Sequence, residues 1–163
     1  MIIKDYLAGI KNKIRVRVCG ILEEDGALLM IKHVGIGAEG VLWSPPGGGL
    51  EFGENAESRL IQEFAEETGL QIEVSEFLFV NEYVQPPLHA VELFFKVRRV
   101  AGDLILGMDP ELSEKNQIIQ EIKFLTYLDL EKIPAKQVHN AFNSMKSNKS
   151  ITELRGFVKF SDI

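Results

Sequence analysis

Residues Pro45 to Leu70 read "PPGGGLEFGENAESRLIQEFAEETGL", a glycine run passing directly into a helix with three glutamates crowded at its close. Asn55 suits the N-cap, because its short side chain accepts from the first free backbone N–H groups. Gly69 stops the helix after about Thr68, since glycine takes a left-handed cap without steric cost. At about 100° per residue, Ala56, Leu60, Ile61 and Phe64 fall along one broad side. Glu63, Glu66 and Glu67 gather on the adjoining side, with Arg59 among them. Like charges at this spacing oppose a helix by about 0.2–0.5 kcal/mol per pair, and the macrodipole disfavours them further at a C-terminus. One reading is a solvated acidic face. The other is that a divalent cation neutralises the cluster, an all-oxygen set suiting Mg²⁺ or Mn²⁺. Gly47, Gly48 and Gly49 serve either as a turn or as backbone that a ligand can approach closely.

Upstream, Ile14 to Leu22 and Ala27 to His33 alternate as two strands, joined as a hairpin through "EEDG" and its Asp25-Gly26 pair. The glycine- and proline-rich stretch that follows is loop, with a short strand at Val41 to Trp43. Downstream, Ile72 to Val84 and Ala90 to Val100 are rich in Val, Phe and Tyr and predict two long strands joined through "QPPLH". "EIKFLTYLDL" predicts another strand, Ala135 to Lys146 a helix entered through Pro134, and Glu153 to Phe160 a last short strand. With no repeat or linker, residues 1–163 are expected to form a single α/β domain.

The chain of 163 residues is 45% hydrophobic and 26% charged, values ordinary for a globular domain. Its net charge of −6 argues against a nucleic-acid polymer as partner, which requires a basic face to neutralise phosphates. The densest basic stretch, "KNKIRVR" from Lys11 to Arg17, is expected to be the solvated side of a strand. Cys19 is the single cysteine, so no intrachain disulfide forms, and it is expected to pack as a small hydrophobe. The N-terminal "MIIKDYLAGI" lacks a signal-peptide pattern, and no run reaches the roughly 18 apolar residues of a membrane span. A cytoplasmic protein without membrane contact is expected; a homodimer is left open.

Counted from Gly48, five residues lead to Glu54 and seven more to Gln62, followed by Glu63, Phe64, Ala65, Glu66, Glu67, Thr68, Gly69 and Leu70. This spacing closely resembles the Nudix box, a glycine loop followed by a helix ending in Arg-Glu-x-x-Glu-Glu-x-Gly and an aliphatic residue. The resemblance implies the family's α/β/α sandwich around a mixed β-sheet. It also implies hydrolysis of the bond between two phosphates in a nucleoside diphosphate linked to another group, dependent on Mg²⁺ or Mn²⁺. Matched residue by residue, it implies Glu63, Glu66, Glu67 and the Gly48 carbonyl as catalytic and metal-binding groups, with Glu54 supporting the loop. This chain departs from the motif at Gln62, where the family carries an arginine that holds the neighbouring glutamate. Glutamine hydrogen-bonds but carries no charge, and Arg59, one turn before Glu63, is the expected substitute.

For the general base, the box supplies Glu67 and the later loop supplies Glu111, Glu114 and Glu121, of which Glu114 is preferred. Trp43, Phe52 and Tyr83 are candidates to stack on a base or ribose, against the ordinary reading that each is packed. Pro86 and Pro87 stand about where some ADP-ribose hydrolases of the family carry a proline, and two prolines in a turn need no such role. His89 reads as structural, and His33 and His139 have no pattern suggesting a metal. The alternative to an enzyme is a catalytically weak nucleotide-binding or sensor module of the same fold, motivated by Gln62.

Overall fold

The computed structural model describes residues 13–109, 112–113, 117–143 and 150–158. The elements run β1 (Ile14–Ile21), β2 (Glu23–Glu24), β3 (Ala27–Val34), β4 (Val41–Ser44), β5 (Gly47–Gly49) and α1 (Ala56–Thr68). There follow β6 (Gln71–Gln85), β7 (Leu88–Ala101), β8 (Ile119–Thr126), α2 (Tyr127–Glu131), α3 (Asn140–Asn143) and β9 (Gly156–Val158). A five-stranded sheet has the order β5-β1-β7-β6-β9 and is mixed: β1 is parallel to β7 and β9 to β6, whereas β5 runs antiparallel to β1 and β6 antiparallel to β7. In the second sheet β3 pairs antiparallel with β2, β4 and β8.

Asp25 and Gly26 do form a tight turn, both at positive φ (50° and 75°). It closes the short β2–β3 hairpin, however, and β1 leaves for the other sheet. The reason is burial: Val18, Cys19 and Ile21 are all enclosed, and a strand covered on both faces belongs inside a sheet, beside a parallel neighbour. The strand expected over "EIKFLTYLDL" ends at Thr126, where a reciprocal capping box with Asp129 starts α2. Of the helix expected over Ala135 to Lys146, Ala135–Gln137 is a 3₁₀ turn and Asn140–Asn143 is α3, while residues 144–146 lie outside the described residues. Val138 then bridges to Trp43 and the His139 N–H donates to the Trp43 carbonyl at 2.8 Å, which holds this backbone extended until α3. Glu153 belongs to a 3₁₀ turn rather than to the last strand.

Side-chain alternation along β1 divides the core. Val18 faces α1 with Leu60, Phe64, Leu70 and Val97, whereas Cys19 and Ile21 face Phe79, Phe94, Leu130, Ala141 and Phe142 on the side of α2 and α3. Phe79 and Phe94 stack there with centroids 4.5 Å apart. Helix, mixed sheet and helix thus form the three layers expected. Burying a side chain such as Phe64 contributes about 1.5–3 kcal/mol, which is what anchors α1 to the sheet.

The helix itself is capped as expected, Asn55 accepting from the N–H groups of Glu57 and Ser58, and Gly69 standing at φ 72°. Its orientation differs in one respect. Ile61 is 41% exposed, while Glu63 and Glu67 are 7% and 6% exposed. The stripe facing the sheet follows the spacing Leu60, Glu63, Phe64, Glu67, so two of the acids lie on the buried side.

Candidate active site

β5 lies antiparallel to β1, with Gly48 opposite Val18 and Gly49 opposite Arg17. A Cβ on Gly48 would stand 2.1 Å from Glu63 Oε1, so the absence of a side chain is what lets that carboxylate lie against the strand. The Gly47 N–H donates to Glu67 Oε2 at 3.0 Å. Arg59 Nη2 approaches Glu63 Oε1 at 2.5 Å and Nη1 lies 3.8 Å from Glu54 Oε1. Glu54 in turn accepts from the Glu51 N–H at 2.9 Å and so steadies the loop entering α1. Gln62 attends a different glutamate: its Nε2 donates to Glu66 Oε1 at 2.7 Å. Glu66 Oε2 is buried and has no hydrogen-bond partner.

After β7 the chain returns to cap this end of α1. The N–H groups of Ile105 and Gly107 donate to the carbonyls of Thr68 and Glu67 at 3.0 and 2.9 Å, satisfying groups that a helix end leaves open. This docking brings in Asp109, whose charge adds to the repulsion felt by Glu63 and Glu67. Sequence reading passed over Asp109, one acid among several in a loop, because nothing local distinguishes it. Glu111 and Glu114 lie outside the described residues. Glu121 sits on β8 opposite Lys32, in the second sheet, and pairs with Lys123 at 2.6 Å.

Electrostatics follow from burial. Desolvation, reinforced by Glu63 and only partly offset by the Gly47 N–H, pushes the Glu67 carboxyl up to about 8. Glu63 is raised as well, by burial first, with Arg59 opposing. Among the described residues no three acidic, His or Cys side chains form a ready-made coordination group, because Arg59, Gln62 and the Gly47 N–H each draw one carboxylate aside. In donor type and charge the cluster nonetheless fits a hard divalent cation: the donors are all oxygen, the carboxylates repel one another, and one buried Glu66 oxygen lacks a partner.

The opposite face of the sheet departs from expectation. Arg15, Arg17 and Cys19 share it by alternation, and the Arg15 guanidinium lies 3.0 Å from where a Gly49 Cβ would be. Arg17 is not on a solvated face: its side chain is 26% exposed and Nη1 stands 3.7 Å from Glu92 Oε1. Glu92 is buried, accepting from Asn81 Nδ2 at 2.7 Å and from His139 Nε2 at 2.8 Å. Burial pushes the Glu92 carboxyl up, but His139, Arg17 and the Asn81 amide outweigh it and hold it at about 2. Neither Glu92 nor Asn81 had a signal in the sequence, and His139 had none pointing to a partner.

Trp43 is 5% exposed in the core, with Lys123 Nζ 5.1 Å from its ring centroid, so it is not available to stack on a ligand. Phe52, by contrast, is fully exposed on the loop before α1. Tyr83 is half-buried, its hydroxyl donates to Gln85, and it pairs in register with Ala90, the partner of Arg15. His33 is buried beside Ser44, and desolvation lowers it to about 4. His89 makes an exposed pair with Glu82 at 3.0 Å. Among the described residues no helix is long and apolar enough to cross a membrane.

A glycine strand supporting acids on the following helix, at one edge of a mixed sheet between helical layers, defines a recognisable class. The NUDIX domain model matches residues 11–145, and the chain belongs to the Nudix family. An ADP-ribose pyrophosphatase of Methanocaldococcus jannaschii is 34% identical over 101 residues, which are 61% of this chain and 59% of that protein. A MutT-like protein of Streptomyces ambofaciens is 32% identical over 124 residues, covering 70% of this chain and 77% of the relative. In fold, a NUDIX hydrolase from Nitrosomonas europaea superposes with a TM-score of 0.62 at 20% identity, over 77% of this chain and 78% of that one.

Proposed function

We propose that the protein hydrolyses a pyrophosphate bond in a nucleoside diphosphate linked to another moiety, such as ADP-ribose, a nucleotide sugar or a nucleoside triphosphate, using Mg²⁺ or Mn²⁺. The observation that carries this reading is the packing of Glu63 against Gly48 and of Glu67 on the Gly47 N–H, with a buried Glu66 oxygen on the same helix lacking a partner. Glu63, Glu66, Glu67 and the Gly48 carbonyl would hold the cation. Bound there, it would neutralise phosphate oxygens and lower the pKa of water. Water then attacks one phosphorus, the bridging P–O bond breaks, and a carboxylate takes the proton from water. We assign that proton to Glu67 or to Asp109 of the later loop, and two phosphomonoesters, or a nucleotide and pyrophosphate, leave.

The sensor alternative rested on Gln62. Arg59 lies against Glu63 and carries the charge that Gln62 lacks, which supports the enzyme over the sensor. ADP-ribose is the first substrate to test, given the relative from Methanocaldococcus jannaschii. The experiment is phosphate release or product chromatography on ADP-ribose, nucleotide sugars, dinucleoside polyphosphates and nucleoside triphosphates, with Mg²⁺ or with EDTA. Turnover of at least one compound, abolished by EDTA, is expected; no turnover of any would refute the reading.

A further inference from the structure

The Glu92 cluster lies across the sheet from α1 and takes no part in the carboxylate group of that helix. It is fixed at the level of the backbone. Arg17 and Glu92 are direct neighbours in the β1–β7 register and Asn81 and Glu92 in the β6–β7 register, so the three stand in a row across three strands. The Ala141 N–H donates to His139 Nδ1 at 3.2 Å. Nδ1 is therefore the acceptor of that imidazole, and the ring proton sits on Nε2, aimed at Glu92 Oε2. The histidine donates to Glu92 through Nε2, as does the Asn81 amide, which also donates to Asn140 Oδ1 at 3.1 Å. The other carboxylate oxygen, Oε1, faces the Arg17 guanidinium.

Such an arrangement is poor value as plain core. Replacing a buried ion pair by apolar groups of similar volume is often neutral or stabilising, and this one occupies a face otherwise built from Phe79, Phe94 and Phe142. It does hold a partly exposed guanidinium in one place. Arg17 sits opposite Gly49 in the β1–β5 register, next to the Gly48 whose missing side chain admits Glu63. We propose that Glu92, clamped by His139 and Asn81, is a positioning residue for Arg17, and that Arg17 receives anionic phosphate oxygens of the substrate at the β5 edge of the sheet. This rests on the reading of the site as a pyrophosphate hydrolase.

Calorimetric titration with ADP in EDTA reads diphosphate binding without turnover, while kinetics with ADP-ribose and Mg²⁺ separate KM from kcat. Arg17→Ala and Glu92→Gln should each weaken ADP about ten-fold, the scale of one charge-assisted hydrogen bond, and raise KM more than they lower kcat. The double variant should bind no more weakly than Arg17→Ala alone, because Glu92 acts through Arg17. Additive losses, or wild-type affinity in Arg17→Ala, overturn the proposal. Should Glu92→Gln fail to fold, His139→Gln, which keeps an N–H donor, should retain ADP affinity that His139→Leu loses; equal affinities in these two overturn it. Absent hydrolysis with the expected ADP pattern sinks the hydrolase reading and supports the positioning, whereas normal hydrolysis with unchanged ADP affinities sinks the positioning alone.

Discussion

Arg59 and Glu63 meet at 2.5 Å one turn apart on α1, with only 11% and 9% of their side chains exposed. A buried charge pair of this kind fixes a side chain, and breaking it by removing one partner costs about 3–5 kcal/mol. Arg59→Ala should therefore lower both kcat, by about ten-fold or more (1.4 kcal/mol), and the melting temperature. Gln62→Arg should leave both near wild type, because Glu63 already has its cation. Steady-state kinetics and thermal melts of the two variants check this; an active, stable Arg59→Ala protein would show that Glu63 needs no such partner.

Removing charge from the box acids tests their role directly. Glu66→Gln and Glu67→Gln should each reduce kcat by about 10² or more, or about 2.7 kcal/mol of transition-state stabilisation, with the fold retained. Asp109→Asn should also slow turnover, whereas Glu121→Gln should not, since Glu121 lies in the other sheet. Equal rates in Asp109→Asn and wild type would remove the later loop from the chemistry.

Gly48→Ala separates packing from catalysis. The added methyl would fall 2.1 Å from Glu63 Oε1, so the carboxylate must move. Activity should drop to the level of Glu63→Gln, while circular dichroism stays that of the folded protein. Retained activity would mean that Glu63 functions away from β5.

Glu67 sets a pH dependence for the metal-free protein. Its folded pKa of about 8 lies above the unfolded value of about 4.3, so between these limits the folded state binds more protons than the unfolded one. Stability must then fall as pH rises through that window, by up to roughly 1.4 kcal/mol per pH unit for one proton. Melts in EDTA from pH 5 to 8 should show this fall, and Glu67→Gln should flatten it. Millimolar Mg²⁺ should raise the wild-type melting temperature most at the alkaline end, by mass action on the folded state. Parallel curves for the two proteins would place Glu67 in solvent.

What the sequence determined by itself is local. The caps at Asn55 and Gly69, the spacing from Gly48 to Leu70 and the crowding of three acids all lie within one window, where helical periodicity is a property of consecutive residues. Alternation likewise revealed that Arg15 and Arg17 share a side of β1, because a strand has period two whatever it pairs with. Tertiary structure alone decided what that side faces. Arg17 meets Glu92 only because β1 lies parallel to β7, and Glu92 meets His139 only because the backbone near Val138 is tethered to Trp43. Asp109 reaches the box only through the docking of Ile105 and Gly107 on the end of α1. Strand register and loop docking are settled by which faces can be buried together across the whole chain, and no short window carries that information.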